Sequence, residues 1–239
     1  MRNIIIAVMS ISIAIAAIFI SLLEFKNEYF AISIFFMVFL SFPTYFYLII
    51  KTNPTKAIST ILILSIFSMI IETIGVLTSF PYGSFSYTQS LGPKIGVVPW
   101  TVSFGWVPLV IASWTLTERL INTETSILKK AVLGSVTITI FDLVLDPGAV
   151  ALKFWVWSPQ GVYYNVPISN FVGWLLSGFI GMIIILTTLK TEKPNNNLLL
   201  TAFFGNIFWT FIAIMGGMTI PLVIGIILTI FLAKILFLE

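Results

Sequence analysis

The run AVLGSVTITIFDLVLDPG, residues 131–148, is apolar for most of its length and then carries Asp142 and Asp146, four residues apart. At 1.5 Å per residue it is about 27 Å long as a helix, close to one bilayer core. It lacks the strict alternation of a membrane-facing strand, so it is expected to be a helix. A carboxyl placed in such a helix costs about 2.5–3.5 kcal/mol on insertion scales and marks a candidate functional site. Four-residue spacing puts Asp142 and Asp146 on one face, a turn apart. Pro147 and Gly148 follow at once and are expected to end the helix.

The rest of the chain extends this pattern. Of 239 residues, 59% are apolar and only 9% are charged, against about 25% charged in soluble domains. The mean hydropathy is +1.09. The sequence predicts an all-α polytopic membrane helix bundle with spans at about 4–23, 30–50, 57–79, 98–117, 129–147, 169–189, 198–215 and 219–237. The apolar stretch that opens the chain is longer than the 7–15 residues of a signal-peptide core and is taken as an uncleaved first span. Residues 198–237 would be roughly 60 Å long as one helix, so MGGMTIP (215–221) is read as a turn. Without that turn the count is seven.

The cations support eight spans. One side then holds Arg2, Lys51, Lys56, Arg119, Lys129, Lys130, Lys190, Lys193 and Lys234, and the other holds Lys26, Lys94 and Lys153. Nine against three predicts a cytoplasmic N-terminus and C-terminus. The two long aromatic connections, 80–97 and 148–168, then share the non-cytoplasmic side. No internal repeat or soluble segment stands out, and residues 1–239 are treated as a single integral membrane domain.

The chain contains no cysteine and no histidine. This removes thiol nucleophiles, disulfides and ordinary zinc or copper sites. Proton chemistry must rest on carboxylates, tyrosine or lysine. Glu72 lies in the third span, in SMIIETIGVL (68–77), at an expected depth similar to that of Asp142. Carboxyls crowded at one depth do not all ionise readily, and one that keeps its proton can act as a general acid.

Simpler roles are open to each acid. Asp146 could be a solvated helix end, Asp142 could bond to Thr137 or Thr139, and Glu72 could pair with Lys94. The aromatic residues also have two readings. Trp100, Trp106, Trp155, Trp157, Trp174, Tyr82, Tyr87, Tyr163 and Tyr164 fall on or near the non-cytoplasmic side, as an interfacial belt would place them. They could equally wall a pocket with acids at its base, which Asn170, at the mouth of the sixth span, would face as a neutral polar group. Aromatic faces stabilise cations, so acids among them suit carbocation chemistry on a substrate entering from lipid.

The segments ETIG (72–75), FPYGSFSYT (80–88), LGPKIGVVPW (91–100), DLVLDP (142–147) and YYNVPISNFVGW (163–174) resemble the membrane carotenoid-biosynthesis family. That family includes bacterioruberin-type carotenoid hydratases and γ-carotene 1′-hydratases. The resemblance covers about residues 70–185. Tyr82 departs from it, because the family more often has Phe at that place.

The resemblance implies water addition across the terminal C=C of an acyclic ψ end. The expected catalytic acids are Asp142, as proton donor, with Glu72 and Asp146. The expected substrate-binding residues are Tyr82, Tyr87, Trp106, Trp157, Tyr164, Asn170 and Trp174. No cofactor or metal is called for. The expected partners are a lipid-soluble carotenoid, membrane lipid and other membrane enzymes of the pathway, without nucleic acid, in the cell membrane. Cyclase or isomerase activity, a proton-coupled transporter and a non-catalytic pathway subunit are the competing readings.

Overall fold

The computed structural model describes residues 1–23, 30–121 and 124–238. Lys26, counted above among the cations, lies outside them. Eight helices make up the described bundle: α1 (Arg2–Leu22), α2 (Phe30–Lys51), α3 (Pro54–Thr78), α4 (Val102–Leu120), α5 (Ile127–Ala151), α6 (Ile168–Thr188), α7 (Leu200–Met215) and α8 (Thr219–Leu238). Four short strands lie between them: β1 (Phe85–Tyr87), β2 (Lys94–Ile95), β3 (Val98–Pro99) and β4 (Trp155–Trp157).

Six helices are long and apolar enough to cross a membrane: α1, α2, α3, α6, α7 with its preceding 3-10 turn, and α8. The other two, α4 and α5, are of spanning length but more polar. Both are largely buried by the surrounding helices, so they need less apolar surface. By contrast, α1, α2 and α8 expose rows of Ile, Leu, Val and Phe, as lipid-facing helices do. Between helices the contacts include van der Waals packing and hydroxyl and amide hydrogen bonds, the usual adhesives of membrane bundles. For example, the Thr44 hydroxyl donates at 3.0 Å to the Leu198 carbonyl.

The helix boundaries follow local chemistry. Asn53 caps α3 by accepting from the Lys56 amide at 3.2 Å, and Pro54 fills the first position. Ser126 caps α5 through the Lys129 amide. The fourth helix begins at 102 rather than 98, because Val98–Pro99 pairs with Lys94–Ile95 as a small antiparallel ladder.

The fifth helix does not end at Pro147; it continues to Ala151. Proline removes the bond that residue 147 would give to the carbonyl of Leu143. The Tyr163 hydroxyl donates to that carbonyl instead, at 3.0 Å.

The two long connections are joined. β1 pairs antiparallel with β4, with Phe85 opposite Trp157 and Tyr87 opposite Trp155. This ribbon covers one end of the bundle. Arg2 donates to the Leu236 carbonyl, which sets the first and last helices end to end at the other. That second end also carries the ion pairs Lys56–Glu192 (3.3 Å) and Lys130–Glu118 (2.8 Å).

Candidate active site

Three helices and the ribbon build the site. Counted from the helix ends nearest the ribbon, Glu72 lies six residues before Thr78 and Asp146 five before Ala151. Because α5 continues past Pro147, Asp146 is level with Glu72, and Asp142 is one turn deeper. All three acids are buried, with 5% exposure for Glu72, 2% for Asp146 and none for Asp142. Asp146 is therefore not a solvated helix end.

A single amide links the two aspartates. Asn170, in the first turn of α6, donates through Nδ2 to Asp142 Oδ2 at 2.9 Å and to Asp146 Oδ2 at 2.7 Å. The other oxygen of Asp146 accepts from Trp155 Nε1 at 2.7 Å. Glu72 Oε2 accepts from the Tyr87 hydroxyl at 2.8 Å. The rings of Tyr87 and Trp155 meet edge to face at 5.8 Å, so the ribbon connects the two halves of the acid cluster.

None of the simpler pairings considered for the acids occurs. Thr137 and Thr139 bond back to the carbonyls of their own helix. Lys94 donates to the Tyr87 carbonyl rather than to Glu72. Among the described residues, no ion pair joins any of the three acids to a cation.

A cavity of about 170 Å³ opens from this cluster toward the centre of the bundle. Glu72, Asp146 and Asn170 are polar points on a mostly apolar wall that includes Tyr82, Tyr87, Trp106, Trp157 and Trp174. The rings form a continuous series. Trp106 stacks near Trp174 at 6.3 Å, Trp174 meets Tyr82 at 6.5 Å, and Tyr82 meets Phe85 edge-on at 6.2 Å. Phe85 continues to Trp157 at 4.9 Å.

Alternation along β1 and β4 puts Phe85, Tyr87, Trp155 and Trp157 on the cavity face. Tyr82 is wedged between α3 and α6. A Cβ on Gly75 would lie 2.7 Å from its ring, and one on Gly173 would lie 2.4 Å away. Burial holds the Tyr82 and Tyr87 hydroxyls well above the usual phenol range, and the charge of Glu72 adds to it. Both stay protonated, and Tyr87 donates to Glu72.

Two expected residues fall elsewhere. Asp142 does not line the cavity. It is linked through Asn170 to Asp146, which does line the cavity. Tyr164 is also off the cavity, with its hydroxyl accepting from the Ile220 amide at 3.2 Å. It sits at φ 50, in the connection that meets the start of α8. Phe85 joins the site without having been named from sequence, and Trp155, named among the aromatics, joins it beyond the residues expected to bind substrate. The signal was present in FSY and WVW, two short segments that place an aromatic at every second residue.

The profile of the family described as carotenoid biosynthesis protein matches residues 29–232. Bisanhydrobacterioruberin hydratase of Haloarcula japonica is 40% identical over 124 residues, covering 51% of this chain and 42% of that protein. The match thus spans less than half the length of this curated relative. No solved structure matches the chain.

Proposed function

The chain belongs to the carotenoid biosynthesis protein family, and from that premise we propose that it is a carotenoid hydratase acting on an acyclic ψ end. The observation that carries this reading is an aromatic cavity with two carboxyls on its wall and an apolar approach from the bilayer. The terminal C=C of the substrate lies against Glu72 and Asp146. The remaining polyene leads away past Met37, Gly105 and Gly205.

Hydrogen bonding separates the roles of the two acids. Asp146 accepts N–H bonds on both oxygens, the pattern of an ionised carboxylate. Glu72 accepts on Oε2 only and faces the cavity, so its second oxygen is available to hold and deliver a proton. Glu72 protonates the less substituted alkene carbon. The tertiary cation that forms is stabilised by the Asp146 charge and by the tryptophan and tyrosine faces. Water adds to the cation, its proton returns to the Glu72 carboxylate, and a tertiary alcohol leaves. These steps need no redox change.

The test is expression of the chain in a host that makes ψ-end carotenoids of two lengths, followed by chromatography and mass spectrometry of the pigments. The expected product is heavier by one or two waters, with a loss of about 100-fold or more for Glu72→Gln, the range of a missing general acid. A new isomer of unchanged mass would replace hydration with cyclisation or isomerisation.

A further inference from the structure

Several buried polar atoms near the acids have no hydrogen-bond partner in the protein. Three of them are Tyr82 Oη, Asp142 Oδ1 and Ser177 Oγ, and the Tyr82 hydroxyl senses both Ser177 and Asp142. Tyr82 is 1% exposed, and Asp142 and Ser177 are fully buried. Leaving such a group unsatisfied costs about 1–3 kcal/mol, so three together call for a common partner.

The packing places Ser177 near the Tyr82 ring. The Tyr82 ring lies against Gly173, and Ser177 is one helical turn farther along α6 on the same face. The Tyr82 hydroxyl is directed at Ser177 and lies in the fields of Glu72 and Asp142, yet it forms no direct bond within hydrogen-bonding geometry. Polar atoms that face one another across slightly too large a gap are typically bridged by water. Asn170 engages only the Oδ2 of Asp142, which leaves Oδ1 without a partner in the protein.

We propose that Tyr82 Oη, Ser177 Oγ and Asp142 Oδ1 form a binding site for the water molecule that captures the carbocation. This rests on the hydratase reading above and adds the source of the nucleophile. Tyr82 lines the cavity while Asp142 and Ser177 do not, so the water sits in the cavity wall, within reach of a cation but separated from lipid. The O–C bond forms as the empty orbital of the cation takes a water lone pair. The oxonium proton goes to Glu72, which lost one in the first step. The site gives Asp142 a function without requiring it to touch the carotenoid. It also gives a use to Tyr82, the departure from Phe noted in the sequence.

The double variant Tyr82→Phe/Ser177→Ala tests the site, because it removes two oxygens that make no side-chain bond in the protein and keeps the ring between Gly75 and Gly173. The full-length protein is assayed in D2O with a ψ-end carotenoid. Alcohol is measured together with deuterium gained by the recovered substrate, which reports protonation that reverses without water capture. The expected result is deuterium uptake at or above the wild-type rate with alcohol reduced about tenfold or more, the effect of losing two bonds to the water. The Glu72→Gln variant should lose both signals.

An unchanged ratio of alcohol to deuterium uptake in the double variant overturns the water site and leaves the hydratase reading standing. Loss of both signals in step assigns the two hydroxyls to packing and also overturns it. A wild-type protein that forms no alcohol from any ψ-end substrate overturns the hydratase reading and the water site together.

Discussion

At the residue scale, Asn170 determines how the acids are arranged. One NH2 group supplies a hydrogen to each aspartate, and no other side chain among the described residues bonds to both. Asn170→Leu would leave Asp142 without a side-chain partner and Asp146 with Trp155 alone. The expected cost is about 1–3 kcal/mol for each orphaned oxygen, read as a lower thermal midpoint in detergent together with loss of product. Trp155→Phe keeps the ring against Tyr87 but removes the N–H to Asp146. It should reduce turnover with a smaller effect on stability.

The raised Tyr82 hydroxyl predicts a pH dependence with a definite sign. The native state retains this proton above about pH 10, where an unfolded tyrosine releases it. The unfolded state then binds fewer protons, so stability falls as pH rises beyond that point and is unaffected below it. Denaturation midpoints should be flat from about pH 8 to 9.5 and decline above 10. The slope should be shallower in Tyr82→Phe.

At the element scale, the exchange of bonds at Leu143 explains why α5 passes through a proline. Tyr163→Phe should orphan the Leu143 carbonyl and destabilise the ribbon end of α5 by about 1–3 kcal/mol. Pro147→Ala should restore the helical N–H to that carbonyl. The two changes are therefore coupled, and Tyr163→Phe should be milder in the Pro147→Ala background. A double-mutant cycle on thermal unfolding measures this directly, and additive effects would show that the Tyr163 bond is not what carries the helix past Pro147.

The same example marks where sequence reading stops. Hydropathy located all eight helices because each spanning segment must satisfy its own backbone. It could not show that a tyrosine sixteen residues downstream of Pro147 would replace the missing bond. Nor could it show that FSY and WVW, nearly 70 residues apart, pair as strands. The acids Glu72, Asp142 and Asp146 were legible because a carboxyl in an apolar run is conspicuous. Their order of access to the cavity was not, because it depends on one extra turn of α5. Ser177 left no signal, since a serine in a membrane helix more often bonds to its own backbone.

At the scale of the whole molecule, the bundle places α4, α5 and the apolar α7 inside and exposes the apolar faces of α1, α2 and α8, and the cavity is lined from both sets. On α7 its lining extends from Thr201 to Trp209, about 12 Å along the axis. On the hydratase reading the polyene is longer than that, so only its end would lie in the protein and the rest would leave toward the membrane. Ile20 of α1 and Ile32 of α2 also line the cavity, so an exit between these lipid-exposed helices is expected.

Gly205 lies on this route, and a Cβ there would meet no atom within 4 Å. Gly205→Phe should therefore fold as the native protein does, with an unchanged thermal midpoint, while blocking the polyene and lowering conversion about tenfold or more. Gly205→Ala should convert substrate normally. Gly173→Ala makes the contrasting case, because its Cβ would lie 2.4 Å from the Tyr82 ring. That variant should lose stability and activity together. Full conversion by Gly205→Phe would show that the polyene takes another path, and the entry between α1 and α2 would then have to be abandoned.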